Sequence, residues 1–181
     1  MKTLIINGSP RTKGDTVALL TELKKYLQGE ITEISVFRDN IHPCNDCRYC
    51  WTEGKCIIED DMQIIYNDDF DIVIVASPMH MFGLPGPLIN LTSRFQAYYA
   101  ARRYANKKID ISPKKGVLIL VGGGDGKPDY AIRMAKMILR NLGANYDEDY
   151  TVLSLNTDLV PAFEDTEALQ KIKEISLKLS K

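Results

Sequence analysis

Two almost wholly apolar runs constrain this chain more than anything else in it. They are Asp71–Ala76 (DIVIVA) and Lys115–Val121 (KGVLILV). A strand with one face in water alternates apolar and polar residues, whereas a run without alternation is buried on both faces. Such strands need helices above and below them. Thr3 to Ile6 is a shorter run of the same kind, Ile31, Ile34 and Val36 mark a second strand, and Asp149 to Leu155 a fifth. Between them, apolar residues recur at helical spacing. One helix begins near Asp15 or Thr16, runs through Val17, Leu19, Leu20, Leu23 and Leu27, and is ended by Gly29. A short one through Met62, Ile65 and Tyr66 is capped by Asp60 and Asp61. A long one extends from about Leu88 to Tyr104. Another runs from Tyr130 to Leu142 and is ended by Gly143, and a last from Thr166 to Leu179. The alternation predicts an α/β protein with a three-layer, open, doubly wound, parallel five-stranded sheet of order 2-1-3-4-5.

The 181 residues suit one domain, 1–181, with a cysteine-containing excursion at about 40–60. Net charge is −1, which offers no basic footprint for nucleic acid or an anionic membrane. No apolar run reaches transmembrane length, and the N-terminus enters a strand without a signal-peptide pattern, so a cytoplasmic location is expected.

A doubly wound sheet binds ligands beyond the carboxyl ends of its strands, at the switch between strands one and three. Three unusual loops fall at such ends. The first is Asn7-Gly8-Ser9-Pro10-Arg11-Thr12-Lys13-Gly14-Asp15-Thr16. It is not a Walker loop, because Lys13 stands where that pattern needs its second Gly. Nor is it a dinucleotide loop, since position 10 is Pro. Yet it joins a strand to a helix whose first N–H groups lack intrahelical partners and carry partial positive charge. Ser9, Arg11, Lys13, Gly14 and Thr16 make a phosphate cradle there. Asp15, acceptor-only when ionised, is expected to cap the helix.

The second loop contains Pro78, Met79, His80, Met81 and Phe82. Exposed Met, His and Phe at a strand end can pack on a flat aromatic ligand. They can equally pack on a neighbouring helix or subunit. The third, Gly122, Gly123, Gly124, Asp125 and Gly126, reads by itself as a plain tight turn.

The four cysteines stand close together, Cys44, Cys47, Cys50 and Cys56, with spacing C-x₂-C-x₂-C-x₅-C. Two-residue spacers let thiolates curl around one centre, and four thiolates suit [4Fe–4S] or zinc. The compact run favours iron–sulfur over zinc, and free or redox-active thiols remain the alternative. On the long helix, Phe95, Tyr98, Tyr99 and Tyr104 lie among Arg94, Arg102 and Arg103, a mixture that suits a subunit interface or a solvated face.

Asn-Gly-Ser-Pro-Arg followed by Gly-x-Thr resembles the phosphate loop of the NAD(P)H-dependent FMN reductase family, which is flavodoxin-like. The resemblance continues in Ser77-Pro78 and onward to Arg94, with Ser93 where relatives commonly carry Asp, and in the glycine turn at 122–126. The cysteine spacing, followed by Asp60-Asp61-Met62, is similar to that of the iron–sulfur flavoproteins, which share this fold. The resemblance implies FMN held by loop 9–16, with Pro78 to Phe82 and Gly122 to Asp125 bordering its ring. It implies NAD(P)H as co-substrate and electrons passed to a small-molecule or protein acceptor. It further implies a homodimer or higher homo-oligomer, and leaves open whether the cysteines hold a [4Fe–4S] cluster, zinc or no metal. An electron carrier without reductase activity and a thiol- or zinc-based redox sensor are the competing classes.

Overall fold

The computed structural model describes residues 1–107, 113–124 and 126–179. The elements follow in the order β1 (Lys2–Asn7), α1 (Asp15–Lys24), β2 (Glu30–Ser35), α2 (Tyr49–Glu53), α3 (Met62–Asn67), β3 (Ile72–Pro78), α4 (Gly86–Ser93) and α5 (Gln96–Arg103). Then come β4 (Lys114–Val121), α6 (Asp129–Asn141), β5 (Ala144–Asn145), β6 (Thr151–Ser154) and α7 (Thr166–Leu179).

All strand pairs among the described residues are parallel. The order is β2-β1-β3-β4-β5, with β6 also on β4. The central registers set Ile5 opposite Ile74 and Ile74 opposite Val117. The runs without alternation are explained by two cores, one on each face. Leu4, Ile6, Val73, Val75, Leu118 and Leu120 meet Met62, Leu88, Leu91, Ala135 and Ile138 on one side. Ile5, Ile72, Ile74, Val117 and Ile119 meet Leu19, Leu20, Leu23, Ile172 and Ile175 on the other. Burying a Leu or Ile side chain contributes roughly 1.5–3 kcal/mol, so a one-residue slip in register would exchange the two cores and misfit both.

Several boundaries differ from the sequence reading, each for a physical reason. The fifth strand is in two pieces, making six strands among the described residues. Ala144–Asn145 pairs at Lys114–Lys115, and a 3₁₀ turn at Glu148–Tyr150 intervenes before Thr151–Ser154. The Asp147 side chain accepts from the Asp149 N–H (2.8 Å) and starts that turn. The first helix stops at Lys24, not at Gly29. Gly29 instead turns the chain into β2 with φ 90°, where a Cβ would strike the Met1 carbonyl. The third strand runs past Ala76 to Pro78. Pro78 is the last residue of β3, opposite Val121, and the Met79 N–H bonds the Val121 carbonyl (2.7 Å). The helix expected from Leu88 to Tyr104 is broken at Arg94 and Phe95. There the N–H groups of Arg94, Phe95 and Tyr98 bond three residues back, to Leu91, Thr92 and Phe95. Among the described residues no helix is long and apolar enough to cross a membrane.

Candidate functional site: a cavity at the switch point

β1 and β3 are adjacent, and their chains leave the sheet in different directions. A cavity of about 280 Å³ opens at that point, lined by Ser9, Arg11, Gly14, Asp15, Thr16, Pro78, Met79, His80, Val121, Gly123, Thr157 and Asp158, with Pro10 completing the wall.

The first turn builds itself. The Asn7 side chain accepts from the Ser9 N–H (2.9 Å) and donates to Glu33 (2.8 Å). Burial pushes the Glu33 carboxyl up, but the Lys24 ammonium and the Asn7 amide outweigh this and hold it below its ordinary value. The Ser9 hydroxyl bonds both the N–H and the carbonyl of Arg11 (3.2 Å each). Gly8 packs so tightly on β3 that an added Cβ would lie 2.6 Å from Ser77 Oγ, while its N–H bonds the Ala76 carbonyl (2.7 Å). Gly14 is the N-cap of α1, and no side chain caps that helix. The first-turn N–H groups are therefore left for a ligand. This donor set fits a phosphate, with Arg11 supplying charge.

Asp15 does not cap the helix. It is the first helical residue, and its carboxylate accepts from the Ala162 N–H (2.9 Å), tying the turn to the chain after β6. The tie commits one oxygen of Asp15 to the scaffold. Lys13 is exposed and does not line the cavity.

On the other wall, Pro78, Met79 and His80 face the cavity. Beyond them His80 and Gly83 exchange two backbone hydrogen bonds (2.9 Å each), making a hairpin tip of Met81 and Phe82. Both tip residues are left-handed, at φ 47° and 65°, and are 90% and 58% exposed. A non-glycine pair in that region is strained, a condition that concentrates at functional surfaces. The tip lies outside the cavity lining, with the Phe82 ring near Gly126. Of the glycine turn, Gly123 lines the cavity. Gly122 packs on Met79, and Gly124 is not part of the lining. Asp125 is outside the described residues.

Thr157 and Asp158 were not among the residues singled out by sequence. The Thr157 and Asp158 N–H groups bond the Gly122 and Gly123 carbonyls (3.0 and 2.9 Å), and the Thr157 hydroxyl adds a bond to Gly122 (3.2 Å). The only sequence signal was position, two residues beyond the last apolar strand.

The cysteine excursion leaves the same edge of the sheet, after β2. Its neck is closed by Asn40 and Asp61, whose backbone and side chain exchange bonds of 2.7 and 3.0 Å. Asp60 accepts from the His42 N–H (2.9 Å) and pairs with Arg94 (2.6 Å), both side chains fully buried. Arg94 also donates to the carbonyls of His42 (2.9 Å) and Ile58 (3.2 Å). Burial pushes the Asp60 carboxyl up, yet the Arg94 guanidinium and the His42 N–H hold it below its usual range. Arg94 is thus no part of a solvated basic face. Asp61 does not cap α3 either, its carboxylate being turned back to Asn40, while Asp60 Oδ1 takes the Met62 N–H (3.2 Å). Inside the loop, Trp51 stacks on Tyr104 at 4.1 Å, and Ser93 accepts from the Cys44 N–H (2.9 Å).

All four cysteines are free and line one small cavity with Arg48, Trp51 and Arg94. Asp46 and Arg48, between successive cysteines, are left-handed at φ 52° and 60°, and Gly54 at 66° turns the chain back toward Cys56. Burial pushes the Cys50 thiol up, and the other three thiols add to that shift. The donor chemistry fits a four-thiolate group. As placed, however, no three His, Cys, Asp or Glu side chains among the described residues converge on a metal position.

The family model for NADPH-dependent FMN reductase matches residues 1–157. This chain belongs to that family. It is 29% identical to an iron–sulfur flavoprotein of Methanosarcina thermophila over 99% of this chain and 93% of that one. It is 26% identical to an iron–sulfur flavoprotein of Archaeoglobus fulgidus over 79% of this chain, spanning 64% of the relative's length. A putative NAD(P)H-dependent FMN-containing oxidoreductase of Bacillus subtilis, YwqN, is 30% identical over 70% of each chain. Among solved structures, an FMN-dependent NADH-azoreductase of Bacillus anthracis in complex with FMN superposes at TM-score 0.64 and 20% identity, covering 99% and 98% of the two chains. That likeness, and a flavodoxin from the domain Archaea at TM-score 0.55, 14% identity and full coverage of both chains, shows the flavodoxin-like fold.

Proposed function

We propose that this family member is an FMN-dependent NAD(P)H oxidoreductase that passes electrons from reduced nicotinamide to a small-molecule or protein acceptor. The observation that carries the reading is the cavity at the β1–β3 switch point, with an uncapped helix start and Arg11 on one wall and Pro78 to His80 with Gly123 on the other. Bound FMN would supply hydride acceptance and onward electron transfer, so no acid or nucleophile need stand out. The chain's own part is to hold the phosphate at Ser9, Arg11, Gly14 and Thr16, and to border a flat ring with Pro78, Met79, His80 and Gly123. The test is to identify the flavin released on denaturation and to follow NAD(P)H oxidation with a quinone. FAD, or no flavin after reconstitution, overturns the reading. Flavin without NAD(P)H oxidation favours the electron carrier.

The reading extends to the cysteines. We infer that Cys44, Cys47, Cys50 and Cys56 are the ligands of a [4Fe–4S] cluster, supported by their lining one cavity in a loop curled by left-handed residues. Anaerobic reconstitution tests this, with iron near four per chain expected and lost in each Cys→Ser variant. Zinc, or no metal after reconstitution with iron and sulfide, would sink it. The reading also includes a homodimer or higher homo-oligomer, supported by the exposed Met81, Phe82, Tyr130 and Phe163. It includes a cytoplasmic location, where four free thiols persist.

A further inference from the structure

Asp158 is an exposed carboxylate in the wall of the flavin cavity. Among the described residues no side chain or N–H satisfies it, in contrast to Asp15 in the same cavity, which is committed to Ala162. Its backbone is not free to swing, because Thr157 and Asp158 are fastened to Gly122 and Gly123 by the three hydrogen bonds described above. Its carboxylate lies directly over Gly123. A Cβ at that glycine would fall 2.6 Å from Oδ1 and 2.8 Å from Oδ2. Gly123 has no positive φ, and the carboxylate occupies the space that a side chain there would take. The fold thus holds an acceptor in the cavity and leaves it without a donor.

The lining residues fall into three chemical groups. The turn at 9–16 offers N–H donors and positive charge, which suits phosphate. Pro78 to His80 and the glycine backbone offer apolar edges, which suits a ring. The third group is the Asp158 carboxylate, beside a Thr157 hydroxyl already donating to Gly122. An ionised carboxylate only accepts. It repels a phosphate and welcomes hydroxyl donors, and the ribityl chain of FMN carries three hydroxyls between its ring and its phosphate.

We propose that the Asp158 carboxylate accepts hydrogen bonds from the ribityl hydroxyls of FMN. This rests on the FMN reading above and adds the recognition of the polyol. The test titrates apoprotein with FMN, and with an FMN analogue that keeps ring and phosphate but lacks the ribityl hydroxyls, following flavin fluorescence. Asp158→Ala should weaken FMN roughly tenfold to a hundredfold, the scale of hydrogen bonds to a charged group, and leave the analogue's affinity unchanged. Asp158→Asn keeps an acceptor and should fall between the two. Equal weakening of FMN and analogue would assign Asp158 to the ring, and tightening of both would assign it to repulsion of the phosphate. Either overturns the proposal, as does an unchanged FMN affinity in both variants. Wild-type protein that binds no FMN overturns the underlying reading instead.

Discussion

Two loops rise from the same edge of the sheet and are held by opposite means. The start of the turn at 7–16 is stabilised from within, by bonds two residues long between Asn7, Ser9 and Arg11, while its end is tied to Ala162 through Asp15. The excursion at 40–61 is stabilised from outside. Its contents are mostly exposed, and its shape depends on a neck where Asp60 meets Arg94, 34 residues away. A turn made of local bonds is rigid before any ligand arrives. A loop gripped at its neck, by the Trp51–Tyr104 stack and by the Cys44–Ser93 bond leaves its four thiols to be ordered by whatever they hold. The first design suits a phosphate, which needs donors already in position. The second suits thiols that close around a group.

The sharpest way to break this contrast is to cut the neck. Asp60→Ala leaves Arg94 buried without its counter-charge, and should cost about 3–5 kcal/mol of stability, read by urea unfolding. The cysteines should then react faster with thiol reagents. A loss below about 1 kcal/mol would mean the neck is not the clamp. The pair also has a pH signature. The folded Asp60 pKa lies below its unfolded value, so its contribution is full above the ordinary carboxylate range and disappears as pH falls through the lowered value. Asp60→Asn should flatten that acid limb.

The phosphate turn is tested by Arg11→Ala, which should weaken FMN by about 1.5–3 kcal/mol and leave the unfolding midpoint of the apoprotein unchanged. A shifted midpoint would show that the turn, too, leans on its side chains. Gly8→Ala probes the packing beneath it. The new methyl collides with Ser77 and Leu88 and should cost about 1–3 kcal/mol, measured by thermal unfolding. The smallest effect is expected from Ser93→Ala. It removes the acceptor of the Cys44 N–H in a solvated place, and should cost about 0.5–1.5 kcal/mol. A larger loss would make Ser93 a second clamp.

The same contrast explains what the sequence disclosed. The buried strands were legible because two-sided burial removes alternation from DIVIVA and KGVLILV. The turn at 7–16 was legible from its residue types, Gly, Ser, Pro, Thr and two cations between a strand and a helix. Arg94 was not. Helical spacing runs on through it, and its partners are distant in sequence: Asp60 with the carbonyls of His42 and Ile58 at the guanidinium, and the Tyr66 hydroxyl at its carbonyl (2.6 Å). Asp15 was misread because its partner, Ala162, lies 147 residues away. Asp158 escaped notice for a similar reason. Nothing in Asn156-Thr157-Asp158 differs from an ordinary loop until Gly122 and Gly123 lie beneath it.

The closed neck has one more consequence. Asn40 and Asp61 hold each other, so the chain enters and leaves the excursion at a single point on the sheet's edge. A segment with that geometry is a cassette. Its removal would take Asp60 with it, so a shortened chain would have to replace Arg94 as well, and a protein receiving the graft would have to carry an arginine at the break between the two helices.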